Sequence, residues 1–205
     1  MSKKLIIVFE GIEGSGKSHH ITKVANYLKK INKKFIRIRE PGGSQNSEII
    51  RKLILNNKSS FNKYTDLLLY LSARSENVEL IKKNIGKKII LIDRFTDSTL
   101  AYQHYGMGIN LKLIENINNV LLKGINVDFT FLNTVSLKNM NDRLKKRKKL
   151  NRYDKFNYNF YNIVQKGFLK ILKKNPKKYM LINSNLNIKN NEKNISKKIN
   201  DLIKI

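Results

Sequence analysis

Cysteine and tryptophan are absent from this chain of 205 residues, and histidine occurs only three times. Without cysteine, neither disulfide bonds nor thiolate metal sites can form. No apolar run approaches the roughly 20 residues that a membrane-spanning helix needs. The first apolar run is short and lacks a signal-peptide cleavage site. We therefore predict a cytoplasmic protein without a membrane partner.

Acidic residues are also scarce. Against 42 lysines and arginines stand 15 aspartates and glutamates, which gives a formal net charge of +27. Such a charge can mark nucleic-acid binders. The lysines, however, are spread along the chain among many asparagines and isoleucines, and all three residue types have AT-rich codons. Because mutational bias would give the same composition, we predict non-specific polyanion binding at low salt and no specific nucleic-acid partner.

The most informative motif follows the apolar run at residues 5–9. Residues 10–18 read Glu-Gly-Ile-Glu-Gly-Ser-Gly-Lys-Ser, and positions 11–18 match the spacing G-x-x-x-x-G-K-[ST] between a strand and a helix. Glycines let successive N–H groups point inward as an anion nest, and the helix N-terminus adds positive charge. We predict that this loop binds a nucleoside triphosphate. Its phosphate-binding residues are Gly11, Ile12, Glu13, Gly14, Ser15, Gly16, Lys17 and Ser18, with Ser18 also ligating Mg²⁺.

Strand-like and helix-like segments alternate along the rest of the chain. Strands are predicted at 5–9, 35–39, 88–93, 127–133 and 178–182. Helices are predicted at 17–30, 48–55, 65–84, 96–105, 111–122, from Ser136 into the basic block 145–149, at 157–174 and near the C-terminus. This alternation predicts an α/β fold, the three-layer P-loop NTPase fold, with a five-stranded parallel sheet and helices on both faces. The length suits a single P-loop kinase domain over residues 1–205.

A phosphate loop alone does not separate kinases from other nucleotide hydrolases. Three further runs narrow the choice: Arg-Glu-Pro-Gly-Gly-Ser at 39–44, Tyr-Leu-Ser-Ala-Arg at 70–74, and a run at 93–103 that begins Asp-Arg-Phe and ends Ser-Thr-Leu-Ala-Tyr-Gln. In these runs the chain resembles the thymidylate kinases, whose motifs read close to R-E-P-G-G-T, F-x-x-x-R and D-R-Y…S-T-x-A-Y-Q. Order and spacing agree from about residue 5 to residue 168.

The resemblance implies transfer of the γ-phosphate of ATP to dTMP, giving dTDP and ADP, for dTTP biosynthesis and DNA synthesis. The chemistry is compatible with this chain. The attacking phosphate oxygen is largely ionised near neutral pH, because the second phosphate pKa is about 6, so no strong general base is needed. Catalysis then rests on positioning and on neutralising charge, which arginine and lysine can do without histidine. We expect His19 and His20 to be surface or helix-capping residues.

The resemblance also assigns roles to individual residues. Lys17 holds the donor phosphates, and Asp93 completes the Mg²⁺ site with Ser18. Arg94 and Arg51 bind the acceptor phosphate, and Arg39 and Glu40 shape its pocket. Base and sugar recognition is implied for a further set: Tyr70 stacks on thymine, Arg74 donates to O4, Thr99 and Gln103 read N3 and the other edge, Tyr102 disfavours a 2′-OH, and Glu13 contacts the 3′-OH.

A basic segment at 143–155 is predicted to be a mobile lid. Gly14 stands where one subtype of the family has a phosphate-loop arginine, so the resemblance implies the subtype with arginines in the lid. Arg143 and Arg147 are predicted to share a helix face, and Arg147 to Arg152 keep the spacing of the family's R-G-x-L-D-R. Lys148 and Asn151 depart from that motif. The full catalytic set is then Lys17, Arg94, Asp93, Glu13, Arg147 and Arg152.

Other interpretations stay open on the sequence alone. A kinase for another nucleotide, or for a deoxynucleoside with Glu10 or Glu13 as general base, would carry the same phosphate loop. A basic nucleic-acid-binding ATPase is the alternative from another class. Family members resembling this chain are commonly homodimers, and apolar helix faces at 49–55 and 67–71 would permit one here.

Overall fold

Five parallel strands form the middle layer of the computed structural model, which describes residues 5–204. They are β1 (Ile6–Glu10), β2 (Phe35–Arg39), β3 (Ile89–Asp93), β4 (Phe129–Thr134) and β5 (Tyr179–Asn183), in the spatial order β2-β3-β1-β4-β5. The central strands β1 and β3 are apolar up to a final carboxylate, and β4 is buried over all but its last residue, because both sheet faces are covered. The ends of the predicted domain, residues 1–4 and 205, lie outside the described residues.

Helices cover both faces of this sheet. They are α1 (Lys17–Lys30), α2 (Gln45–Leu55), α3 (Lys63–Asn84), α4 (Thr96–Thr99), a π-helix (Leu100–Gly106), α5 (Leu111–Leu122), α6 (Leu137–Lys145), α7 (Tyr158–Lys174) and α8 (Ile188–Lys204), with short 3₁₀ turns at Tyr153–Lys155 and Pro176–Lys178. Helices α1 and α8 bury apolar residues on one face, and α3, the π-helix and α7 pack on the other. The predicted three-layer α/β fold is confirmed.

Serine and asparagine begin many of these helices. The side chains of Ser44, Asn62, Asn110, Ser136 and Asn157 each accept a hydrogen bond from a backbone N–H in the first turn of the helix that follows. Such caps satisfy N–H groups that have no partner within the helix. The predicted cap at Ser136 is therefore confirmed, and the cap at Ser44 explains why α2 begins three residues earlier than its apolar pattern indicated.

The helix predicted at 96–105 differs most from expectation. Only its first turn is α-helical, and the chain then widens into the π-helix, where the Met107 N–H donates to the Tyr102 carbonyl at 2.9 Å. Gly106 lies so close to Phe160 of α7 that an added Cβ would stand 2.8 Å from the ring. Apolar spacing does not separate an α-helix from this wider form, which is frequent at functional sites.

Within residues 5–204, no helix combines the length and the hydropathy that crossing a bilayer requires.

Candidate active site

A cavity of about 1060 Å³ opens at the carboxyl edge of the sheet. The phosphate loop, the ends of β2 and β3, helix α3, the π-helix and the segment after α6 all contribute to its walls. Most of the residues predicted from the sequence line it, namely Glu13, Gly14, Gly16, Lys17, Ser18, Arg39, Glu40, Arg51, Tyr70, Arg74, Asp93, Arg94, Thr99, Tyr102, Gln103 and Arg147. Ligands of parallel α/β sheets bind at this edge.

The phosphate loop has the backbone that its glycines predicted. Gly11, Gly14 and Gly16 all have positive φ angles, 136°, 66° and 87°. At Gly11 even a methyl group is excluded, because a Cβ would stand 2.1 Å from the Asn133 carbonyl oxygen. The Lys17 ammonium donates to the Ile12 carbonyl at 2.8 Å. Burial, and next the charge of Arg94, lower the pKa of Lys17 to about 7, so the loop is prepared for an anion that would restore the charge.

Ser18 and Asp93 meet across the strand ends. The Ser18 hydroxyl donates to Oδ2 of Asp93 at 3.1 Å, because the end of β3 lies beside the end of β1. Among residues 5–204, no group of three histidine, aspartate or glutamate side chains is placed to hold a metal ion. A serine and a carboxylate fit Mg²⁺, which takes its other ligands from water and nucleotide phosphates.

Arg94 connects the phosphate loop to the other half of the cavity. Its guanidinium donates to the Gly11 carbonyl at 2.8 Å and to the Glu13 carboxylate at 2.7 Å. It also lies 5.2 Å from the centre of the Tyr102 ring, and the Tyr102 hydroxyl donates to Glu13. Arg94 has a φ of 67°, a backbone conformation that is strained for a side chain of this size. The three side chains thus hold one another at the centre of the cavity.

A second group of arginines consists of Arg39, the last residue of β2, and Arg51 in α2. Arg39 makes two hydrogen bonds to Glu48, at 3.0 and 2.7 Å, and Glu48 also accepts the Gly43 N–H at 2.8 Å. Arg51 donates to the Pro41 carbonyl at 2.6 Å. Burial, followed by the nearby charge of Arg39, lowers the pKa of Arg51. Two guanidinium groups of which one is desolvated suit a phosphate group.

Arg74 has more protein partners than the sequence indicated. Its Nε donates to Glu40 at 2.9 Å, Nη1 to Asn118 at 2.8 Å and Nη2 to Thr99 at 2.9 Å. The side chain is buried, and the same carboxylate of Glu40 lies 2.8 Å from Nη2. Arg74 therefore fixes the positions of Glu40 and Thr99 in the cavity wall. Asn118 was missed, since a single asparagine on α5 carries no motif.

The structure decides one part of the lid prediction, the helix face that Arg143 and Arg147 were expected to share. Arg143 donates to the carbonyls of Gly14 and Ser184, and Arg147 donates to Asp154 at 2.6 Å. The predicted shared helix face of Arg143 and Arg147 is wrong, because α6 ends at Lys145. Five consecutive basic side chains from 145 to 149 repel one another and disfavour a continued helix.

Arg152 does not line the cavity. It donates instead to the Ile54 carbonyl at 3.0 Å and to the buried carboxylate of Asp66. Tyr153 was not predicted at all, yet its ring meets those of Tyr70 and Tyr102 edge-on, with centroids 5.8 and 5.9 Å away. No local sequence pattern predicts the bond between Tyr153 and Asp66, because Asp66 lies 87 positions before Tyr153.

Glu10 lies behind the cavity wall and is completely buried. Its carboxyl accepts the N–H groups of Phe95 and Ser98 at 2.7 and 3.2 Å and the Ser98 hydroxyl at 2.5 Å. Burial, and next the charge of Asp97, raise the pKa of Glu10 to about 7. Because Glu10 does not reach the cavity, the geometry does not favour it as a general base for a nucleoside hydroxyl.

The two histidines at the start of α1 differ in exposure. His19 is exposed and pairs with Glu192 of α8 at 2.6 Å, as a surface residue would. His20 is buried, which the sequence did not predict, and its Nδ1 lies 2.6 Å from Oδ1 of Asn133. The Asn133 amide nitrogen already faces the carbonyls of Glu10 and Phe131, so His20 is the donor. Burial lowers the pKa of His20.

The phosphate loop, the Ser18–Asp93 pair and a second arginine group beside tyrosine rings define a class of protein. They suit a nucleoside triphosphate on one side of Arg94 and a nucleoside monophosphate on the other. A P-loop nucleoside monophosphate kinase has this arrangement.

Comparison with known proteins agrees with this class. The family model "Thymidylate kinase" matches residues 9–195, and the chain belongs to the thymidylate kinase family. It is 32% identical to the thymidylate kinase of Kosmotoga olearia, over 90% of this chain and 89% of that one. It is 36% identical to that of Mycoplasma capricolum subsp. capricolum, with the same two shares.

A solved structure extends the likeness to three dimensions. The crystal structure of thymidylate kinase from Ehrlichia chaffeensis superposes with a TM-score of 0.78 at 32% sequence identity. The match covers 97% of this chain and 99% of that one. The predicted activity is confirmed at this level: the chain is a kinase that phosphorylates dTMP to dTDP with ATP.

Proposed function

We propose that Arg94 divides the cavity into a donor side for the ATP phosphates and an acceptor side for dTMP. The observation that carries this proposal is the position of its guanidinium, bonded to Gly11 and Glu13 of the phosphate loop and packed on Tyr102 of the π-helix. From there Arg94 reaches both the acceptor phosphate and the group in transfer. Its charge stabilises the transferring phosphoryl group without reorganisation, because its partners already hold it.

The donor side consists of the phosphate loop. Its N–H groups and Lys17 bind the ATP phosphates, and the bound anion raises the pKa of Lys17 again. Ser18 and Asp93 would hold Mg²⁺. Mg²⁺ bound there would neutralise negative charge on the nucleotide phosphates.

The acceptor side consists of residues from four elements. Arg39 and Arg51 bind the phosphate of dTMP together with Arg94, and Glu40 shapes the pocket through Arg74. The Tyr70 ring stacks on thymine. Thr99 and Gln103 read its polar edge. Tyr102 and Glu13, already hydrogen-bonded to one another, select the deoxyribose.

Residues 143–155 act as the lid of a single domain. Arg147 is the lid arginine, since it lines the cavity and is partly exposed. Its bond to Asp154 exchanges for the nucleotide phosphates when the lid closes. Arg152 anchors the lid to α3 and does not contact the reacting groups.

The chain forms a homodimer through α2 and α3. Ile49 and Leu53 of α2 and Leu68 of α3 are each about half exposed, on helices that pack against each other. Sedimentation velocity tests this, with Leu68→Lys expected to give monomers. The enzyme works in the cytoplasm on free nucleotides, and its positive charge selects no nucleic acid.

The central test is a coupled ADP-release assay with dTMP, dUMP, dCMP, dGMP, AMP and thymidine offered separately. Turnover should be highest with dTMP and should fall at least about a hundredfold in Arg94→Ala, the size of loss that one preorganised charge donor produces. Lys112→Ala serves as the control, because it removes an equal charge from the exposed face of α5. Preferred turnover of thymidine, or stimulation by DNA without an acceptor, would refute the proposal.

A further inference from the structure

The side-chain amide of Gln103 has a protein hydrogen-bond partner on its nitrogen side, the hydroxyl of Tyr153. Gln103 is only 1% exposed, and its Nε2 lies 3.5 Å from the hydroxyl oxygen of Tyr153. That hydroxyl in turn donates to Oδ2 of Asp66 at 2.7 Å. The three side chains come from the π-helix, the 3₁₀ turn at the end of the lid and α3, so a chain of hydrogen bonds runs from the lid region to the base pocket.

The numbers of available donors and acceptors fix the direction of these hydrogen bonds. Oδ1 of Asp66 accepts from Arg152, which is always a donor, and Oδ2 accepts from Tyr153. The single hydrogen of the Tyr153 hydroxyl is therefore already used. Toward Gln103 the tyrosine oxygen can only accept. A flipped amide would set two acceptor oxygens against each other with no hydrogen between them, so Gln103 presents its NH₂ group to Tyr153.

The carbonyl oxygen of Gln103 must then point elsewhere. Gln103 lines the cavity. Among residues 5–204, no fully buried side-chain oxygen or nitrogen lacks a partner, and no hydrogen bond is formed to Oε1 of Gln103. That oxygen consequently reaches the surface of the cavity, which Thr99 also lines. The Thr99 hydroxyl oxygen accepts from Arg74, and its hydrogen is left to donate.

We propose that Asp66 and Tyr153 are positioning residues that hold the Gln103 amide with its oxygen toward the base, which excludes cytosine. Thymine and uracil carry N–H at N3 and an acceptor at O4, which complement the Gln103 oxygen and the Thr99 hydroxyl. Cytosine carries an acceptor at N3 and an NH₂ group at C4, so an acceptor meets an acceptor. The proposal rests on the acceptor side assigned above.

Discrimination is the property to measure, as the ratio of kcat/KM for dTMP to that for dCMP. In Tyr153→Phe the amide is free to flip, and we expect the ratio to fall about tenfold or more, since an unmet buried polar group is what rejects the wrong base. The KM for dTMP should rise while kcat and the KM for ATP change little. Asp66→Asn should act in the same direction, because an amide at 66 lets Tyr153 donate to Gln103 instead.

Tyr161→Phe is the matched control. It removes another buried tyrosine hydroxyl from the same cluster, one that donates to the Tyr153 backbone carbonyl and does not touch Gln103. A purely structural role for Tyr153 predicts that both tyrosine variants affect discrimination equally. An orienting role predicts that Tyr161→Phe keeps the wild-type ratio.

A double-mutant cycle completes the test. Gln103→Met should lose the same discrimination, and Tyr153→Phe should add nothing to it, because the tyrosine acts through the glutamine. Additive losses, or a dTMP to dCMP ratio that stays at the wild-type value in both Tyr153→Phe and Asp66→Asn, would overturn the proposal. Absence of dTMP turnover in the wild-type enzyme would instead refute the proposed function itself.

Discussion

Replacing Glu10 with glutamine should stabilise the protein strongly at pH 8 and much less at pH 5. Glu10 is fully buried at the end of β1, and its carboxyl accepts the N–H groups of Phe95 and Ser98. A glutamine keeps the shape and the acceptor oxygen, and its NH₂ group can donate to the Ser98 hydroxyl. The substitution therefore removes the ionisation of this side chain while its hydrogen bonds are retained.

The magnitude follows from the shift in pKa. Burial and the charge of Asp97 raise the pKa of Glu10 from 4.5 to about 7, which corresponds to about 3 kcal/mol between the two protonation states. Below pH 4.5 the carboxyl is protonated in both folded and unfolded chains. Between pH 4.5 and 7 the folded chain keeps a proton that the unfolded chain has lost, so the free energy of unfolding falls as pH rises. Above pH 7 the free energy of unfolding stays lower by this full amount, because both chains have lost the proton.

Urea unfolding at pH 5, 6, 7 and 8 measures this directly. The difference in free energy of unfolding between Glu10→Gln and wild type should grow from about 1 kcal/mol at pH 5 to at most about 3 kcal/mol at pH 8. Glu115→Gln, on the exposed surface of α5, removes the same charge and should give a curve parallel to wild type. If the Glu10→Gln curve were also parallel to wild type, the assignment of a raised pKa to this carboxyl would be wrong.

Three further predictions concern the site. In steady-state assays, Arg51→Met should raise the KM for dTMP about tenfold or more, because a charged hydrogen bond to the acceptor phosphate is lost. The KM for ATP should stay near its wild-type value. An equal rise in KM for both substrates would contradict this prediction. Chelation with EDTA should abolish turnover until Mg²⁺ is restored. Ser18→Ala should raise the Mg²⁺ concentration that gives half-maximal activity. An unchanged Mg²⁺ titration would show that Ser18 is not a metal ligand. Gly11→Ala should lower the free energy of unfolding by about 2 kcal/mol or more, since its Cβ would meet the Asn133 carbonyl at 2.1 Å, and a wild-type urea midpoint would contradict the tight turn.

The sequence predicted those parts of the site whose chemistry is local. The phosphate loop, the Ser136 cap and the buried strands all follow from residues within a few positions of each other. The strand ends then brought Ser18 to Asp93, because parallel topology aligns carboxyl ends even when the residues lie 75 positions apart.

Contacts between distant elements could not be predicted in this way. The contact of Arg74 with Asn118, 44 positions later, was not predicted. The π-helix at 100–106 has the apolar pattern of an α-helix, and the end of α6 at Lys145 depends on repulsion within a basic run. These features are decided by packing and long-range charge, for which single residues such as Tyr153 give no local signal.

The charge of the cavity is set independently of the net charge of the chain. Three arginines at or behind its walls are each paired with a buried or partly buried carboxylate of a distant segment: Arg74 with Glu40, Arg94 with Glu13 and Arg152 with Asp66. Buried ion pairs are weak contributors to stability, because desolvation offsets their attraction. Each pair here joins two different segments around the cavity, so its effect is to fix positions. An arginine held in this way meets the phosphates already oriented, which is what charge stabilisation in catalysis requires. The surface lysines responsible for most of the +27 charge have no such constraint, and for this reason the net charge predicts polyanion attraction but not the reaction.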